Sequence, residues 1–124
     1  LFPTLLGLAG IDIPEYLQGK SLKPLLDDPQ KIIHDYVASE SVGVDGKPGT
    51  GHRMVVNDSW KYMVSDTGEE ALFNLDDDLY ELNNLIRVEK HKETVGELKS
   101  HLWEWKKLTG DLKVIPDKVI PDNK

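Results

Sequence analysis

His52 and Arg53 are the residues of this sequence best placed to touch a substrate. They follow a glycine-rich segment, Val42 to Gly51, in which Gly43, Gly46, Gly49, Gly51 and Pro48 leave no room for a regular element. A pliable loop feeding into a rigid strand is a common position for ligand contacts. Arginine suits an oxyanion such as sulfate or carboxylate, because its planar fork donates two charge-assisted hydrogen bonds at once. Adjacent strand residues face opposite ways, so one of the two at most points into a given site.

Other candidate chemistries fail on spacing. His91 and His101 lie ten residues apart on a predicted helix, so they project about 80° apart and three turns distant and cannot share a metal. Glu89-Lys90-His91-Lys92-Glu93 is not the His-Glu-x-x-His of zinc proteases, and His34 has no visible partner. Both helical histidines are expected on a solvated face. Around Gly46-Lys47 a phosphate-cradling loop would need glycine where Ser41 stands and serine or threonine where Pro48 stands. Asp76-Asp77-Asp78 lacks the alternating ligands, glycine and terminal glutamate of a calcium loop and reads as a strand-ending turn. No Gly-x-Ser-x-Gly elbow occurs, and no carboxylate pair stands out.

The elements that must position His52 and Arg53 are legible in the pattern. Residues 3–9 form a short apolar helix with Pro3 in its first turn and Gly10 just past its end. A linker with Pro14 and Gly19 leads to a single turn over Leu22 to Leu26, capped by Ser21 and broken at Asp27-Asp28-Pro29. Strands are predicted at Ile32–Ser41, His52–Asn57, Trp60–Ser65 and Ala71–Leu75. Alternation puts Trp60, Tyr62 and Val64 on one face, and Ala71, Phe73 and Leu75 together on one face of the last strand. Short links favour an antiparallel meander.

From Val88 to Leu108 the period becomes helical, and Gly110 ends it. Val95, Leu98, Leu102 and Trp105 form a stripe whose burial is worth about 6–12 kcal/mol gross. The helix therefore should lie across the sheet. Trp103 falls off that stripe. The tail repeats Val-Ile-Pro-Asp at 114–117 and 119–122 and reads as an extended arm. The fold class is α+β: about four antiparallel strands with a long C-terminal helix packed on them. The organisation is 1–30 as the end of a larger domain and its connection, 31–110 as a subdomain, and 111–124 as tail.

Composition narrows the partners. A net charge of −7, from 15 basic and 22 acidic residues, argues against a nucleic-acid surface. No apolar run approaches the roughly 20 residues that span a bilayer. The 124 residues include no cysteine, which removes disulfides, cysteine nucleophiles and cysteine-ligated zinc from this chain.

A series of short motifs, in order, resembles the carboxyl-terminal part of sulfatases of the alkaline-phosphatase superfamily. These are Pro3-Thr4-Leu5-Leu6 with Ala9-Gly10-Ile11; Gly19, Ser21-Leu22 and Pro24-Leu25-Leu26; Arg53-Met54-Val55; Trp60-Lys61-Tyr62; and Glu70 to Leu75 followed by Asp78, Glu81 and Asn84-Leu85. Phe73, Asn74 and Leu79 depart from the family's usual residues at that turn. The resemblance implies that the first helix belongs to an α/β domain absent from this chain, and that the remainder is a noncatalytic subdomain completing a substrate cleft. It implies that the parent's formylglycine nucleophile and calcium lie in that absent domain. The Cys-x-Pro-x-Arg or Ser-x-Pro-x-Arg motif that yields formylglycine is not found here; the nearest approach, Ser21-Leu22-Lys23-Pro24, has the wrong spacing.

The expected partners are the N-terminal catalytic domain and a sulfated saccharide or aryl sulfate. The expected compartment is the family's periplasmic or secreted one. His52 and Arg53 are the expected substrate-binding residues, and the chain alone is expected to be inactive. Self-association through the apolar residues 1–9 is a further expectation. Two other readings remain: a related phosphatase or phosphonate esterase, and an autonomous α+β interaction domain.

Overall fold

The computed structural model describes residues 1–44, 47 and 50–111. The repeated Val-Ile-Pro-Asp arm and Gly46, Pro48 and Gly49 of the glycine-rich segment lie outside the described residues. The chain divides into two units, Leu1–Asp35 and the part that begins at Tyr36.

In the first unit, α1 spans Phe2–Leu8 with Pro3 in its opening turn, and Gly10 follows at φ 71°. Leu1, Phe2, Leu5, Leu8, Ile11 and Ile13 are exposed. The second helix is a single turn, α2, Pro24–Asp27, capped by the backbone of Lys23 with no side-chain cap. Ser21 was expected as that cap; its hydroxyl instead accepts from the N–H of Lys23, the cap residue two positions on, at 3.2 Å, because Pro24 sets the helix start. The Thr4 hydroxyl accepts from the Leu22 N–H at 2.9 Å and ties this segment to α1.

The second unit is a four-stranded antiparallel meander in the order β1-β2-β3-β4, comprising β1 Val37–Ser41, β2 His52–Val56, β3 Trp60–Ser65 and β4 Glu70–Asn74. The first strand is five residues rather than the ten predicted from Ile32. Val37 pairs with Val56, the last residue of β2, so residues before it have no ladder to join. A tight turn joins β2 to β3: the Asn57 N–H donates to the Trp60 carbonyl at 3.1 Å and the Asn57 side chain accepts from the Trp60 N–H at 3.0 Å.

A 3-10 turn at Glu89–His91 leads into α3, Lys92–Thr109, which Gly110 ends in the left-handed conformation, φ 70°. Only glycine adopts that geometry without strain, and the stop sets where Asp111 falls. The stripe packs as its spacing requires. Leu98 and Leu102 are buried with Val55, Tyr62, Val64 and Leu72, while Val95, Trp60 and Trp105 pack around them. In β4 the core residue is Leu72, so Ala71 and Phe73, which share a face as predicted, face away from α3. The two helix-region histidines are half-buried rather than solvated. His101 stacks on Tyr36 with ring centroids 4.4 Å apart, and His91 lies 4.9 Å from the Trp60 ring. Each ring covers part of a large aromatic at the rim of the core.

The acidic turn after β4 is built by side chains. Asp78 accepts from the backbone N–H groups of Leu82 and Asn83 at 3.1 and 2.7 Å, holding Glu81 at φ 55°. Asn84 accepts from the N–H groups of Leu72 and Ile86, both at 3.0 Å, and donates to the Glu70 carbonyl at 3.2 Å. This fastens the segment to β4 as an extra rung.

Candidate functional site

The end of the sheet where the glycine-rich segment enters β2 carries both sequence candidates. The segment leaves β1 through Gly43, at φ 85°, where an added Cβ would meet the Thr50 hydroxyl and stand 2.8 Å from the Gly51 nitrogen. Glycine is required there by both conformation and space. On the return side the Thr50 hydroxyl accepts from the Val44 N–H at 3.0 Å and donates to the Lys47 carbonyl at 2.7 Å. Gly51 is anchored by the Asp66 N–H, 2.9 Å from its carbonyl. Both ends of the loop are thus fixed to the sheet.

The strand then sends His52 and Arg53 to opposite faces. Arg53 shares the α3 face with Val55 and is 2% exposed; His52 is half-buried on the other face, level with Ser41 and Ser65. The Arg53 fork is already engaged. Its Nε donates to Asp111 at 2.7 Å and its Nη2 to the other carboxylate oxygen at 3.0 Å. Glu40 lies 3.7 Å from Nη2, and Lys106, also buried, lies 3.4 Å from Asp111. The hydrogen bonds that Arg53 donates to Asp111 raise its pKa above the ordinary arginine value against the opposing effect of burial. Nη1 is buried with no hydrogen-bond partner among the described residues. A sulfate approaching Arg53 would have to displace a carboxylate held in two-point contact. The guanidinium sits as a tie between β2 and the end of α3, not as an open anion receptor.

Asp111 escaped the sequence reading, which placed it at the start of the tail. A carboxylate just past a helix C-terminus is unfavourable with the helix dipole, and Arg53 and Lys106 offset that. The available signal was its position after the Gly110 stop: once the chain turns back there, the next polar side chain meets the sheet. A second network lies along the helix. Tyr62 donates to Glu70 at 2.5 Å, and Lys99 pairs with the same oxygen at 2.5 Å. Among the described residues no three His, Cys, Asp or Glu side chains converge as a metal site requires. The calcium that the resemblance implies finds no such donor set in them.

The profile of the family described as N-sulphoglucosamine sulphohydrolase, C-terminal, matches residues 1–108. The chain belongs to this family. It is a sulfatase C-terminal domain, with the four strands and long helix that such a domain contains. An arylsulfatase of Clostridium perfringens is 37% identical over 103 residues, covering 82% of this chain and 21% of that protein. The solved structure of a 2-O GAG sulfatase superposes with a TM-score of 0.76 at 33% identity, covering 90% of this chain and 24% of that one. A phosphonate monoester hydrolase from Silicibacter pomeroyi shares the fold at 18% identity, TM-score 0.67, over 98% of this chain and 26% of its own. This sulfatase domain thus spans about a fifth to a quarter of the length of the relatives it matches.

Proposed function

We propose that this chain is the noncatalytic C-terminal subdomain of a sulfuric ester hydrolase. In this reading it completes the substrate cleft of a larger catalytic domain that hydrolyses sulfate esters of sugars or aryl compounds. The observation that carries the reading is the family match over residues 1–108 in a chain with no cysteine and no formylglycine motif. The formylglycine and the calcium belong, in this reading, to the catalytic domain.

His52 is the substrate contact of this reading. It lies on the face that Arg53 avoids, beside two serines at the loop end of the sheet. The role of Arg53 is to hold that strand in register with α3 through Asp111. In the parent enzyme, His52→Ala should raise KM for a sulfated saccharide about tenfold, the loss of one charged hydrogen bond, while KM for a small aryl sulfate stays unchanged. Equal effects on both substrates, or none on either, would remove His52 from the cleft.

The fold likeness to a phosphonate monoester hydrolase supports one other reading, a C-terminal part of that branch of the superfamily. A parent that hydrolyses phosphonate monoesters faster than sulfate esters would select it.

A further inference from the structure

The inward side of α3 covers the sheet, and its outward side carries the one tryptophan that the core does not use. Trp60 and Trp105 pack against the buried cluster, whereas Trp103 is 48% exposed. Its ring is held in place. Lys106 is buried and sets its ammonium 5.0 Å from the centre of the Trp103 ring, and the same ammonium lies 3.4 Å from Asp111. That cation–π contact fixes the plane of the indole, so a ligand that stacks on it costs little further side-chain freedom.

The surroundings select the ligand. Residues 98–109 hold three lysines, Lys99, Lys106 and Lys107, against one acid, Glu104, in a chain of net charge −7. Lys99 is paired with Glu70 and Lys106 with Asp111. Lys107 is exposed and has no ion-pair partner among the described residues. It follows Trp103 by four residues, so its stem begins about 6 Å along the same side of the helix. Ser100, Glu104 and Lys107 make the indole's setting polar, and Leu108, also exposed, projects about 140° away. A stable protein interface needs about 800 Å² on each partner around an apolar centre, and one indole supplies about 200 Å². A sugar ring matches that size. Its flat C–H face suits the negative face of the indole, and an anionic substituent at its rim suits Lys107.

We propose that Trp103 and Lys107 form a binding site for a sulfated saccharide on the outer side of α3, the indole stacking on a sugar ring and the ammonium donating to a sulfate. The ligand class rests on the reading of the parent as a hydrolase of sulfate esters of sugars. The residues are separate from those of that reading: His52 lies on the sheet face that α3 does not cover, and Trp103 takes no part in its contacts.

The experiment is affinity electrophoresis of the parent protein in gels containing dextran sulfate or unsulfated dextran, with sulfate release from an aryl sulfate measured in parallel for each variant. Trp103→Ala should raise the Kd for dextran sulfate at least about tenfold, and Trp103→Phe less than about threefold, since a phenyl ring still stacks. Lys107→Gln, an exposed change that keeps α3 intact, should raise it about fivefold, flatten its salt dependence and leave binding of unsulfated dextran unchanged. All three variants should keep parental turnover of the aryl sulfate. Unchanged dextran sulfate binding in Trp103→Ala and Lys107→Gln, with turnover intact, would overturn the site and leave the sulfatase reading standing. A parent that dextran sulfate does not retard would overturn the site as well. Loss of binding in both variants of a parent that releases no sulfate would support the site and overturn the sulfatase reading. A lysine serving the helix dipole alone would lower Tm and leave Kd unchanged in Lys107→Gln, which would remove Lys107 from the site. Trp103→Ala that dissociates a dimer without altering dextran sulfate binding would overturn the choice of ligand in favour of a second copy.

Discussion

Asp111→Ala should come close to unfolding the domain. Arg53 is 2% exposed, and the substitution removes its two bonds of 2.7 and 3.0 Å, leaving Glu40 at 3.7 Å and the more distant Asp66 as acidic neighbours among the described residues. Lys106 loses its 3.4 Å contact with Asp111 in the same step. Removing one member of a buried ion pair costs about 3–5 kcal/mol, because the remaining charge stays desolvated. Small domains hold about 5–15 kcal/mol in total, so most of the stability goes. With a urea slope of about 1 kcal/mol/M, the midpoint should fall by about 3–5 M, read by circular dichroism at 222 nm, the usual helix band.

The companion variant separates a lost tie from a lost side chain. Arg53→Met combined with Asp111→Leu removes both charges and should recover most of the loss, since a buried pair exchanged for apolar groups is about neutral. Arg53 gives no pH dependence of its own near neutrality. Its raised pKa contributes stability that is complete below the ordinary arginine value and is lost only as pH rises through the still higher folded one. An Asp111→Ala stability within about 1 kcal/mol of the unsubstituted chain, or a double variant as weak as the sum of its parts, would refute the reasoning.

Leu102→Asp should abolish the folded helix signal, and Leu102→Ala should cost about 2–5 kcal/mol, because Leu102 is buried against the sheet at the centre of the core; a normal dichroism spectrum for the aspartate variant would mean that α3 does not cover the sheet. The acidic turn should loosen in acid. The backbone N–H groups of Leu82 and Asn83 hold the Asp78 pKa below its ordinary 3.8, so its contribution is present above that value and lost as pH falls through the lower folded one. Amide exchange at Leu82 and Asn83 should therefore accelerate relative to the core below about pH 4, and Asp78→Ala should do the same at pH 7. Unchanged protection of those two amides in the variant would assign the turn to Asn84 instead.

Much of the second unit was legible because its periods are strong. Trp60–Ser65 was bounded correctly, since a turn residue flanks each end and Trp60, Tyr62 and Val64 alternate cleanly. The α3 stripe and its glycine stop were equally plain. What escaped depends on tertiary partners. The early residues of the first strand look β-favouring, yet β2 ends at Val56 and offers them nothing to pair with. Ala71 and Phe73 share a face as the alternation requires, but which face of β4 enters the core is set by Tyr62, the register partner that turns Leu72 inward. Sequence placed Arg53 beside His52 as a substrate contact. The strand alternation it invoked does part them, and the missing fact was Asp111, 58 residues away, filling the arginine fork. A histidine expected in solvent became a stacking partner for the same reason: Tyr36 precedes β1 and meets His101 only in the folded chain. The active chemistry was not legible in these residues because the chain spans about a fifth of its curated relative.

The central claim is that this chain shapes a sulfatase's cleft without supplying its nucleophile. Sulfate release from an aryl sulfate, measured side by side for the purified 124-residue chain and for the parent protein, tests it most directly. The account predicts no turnover by the chain and turnover by the parent. Hydrolysis by the chain alone, or a parent that releases no sulfate, would contradict it.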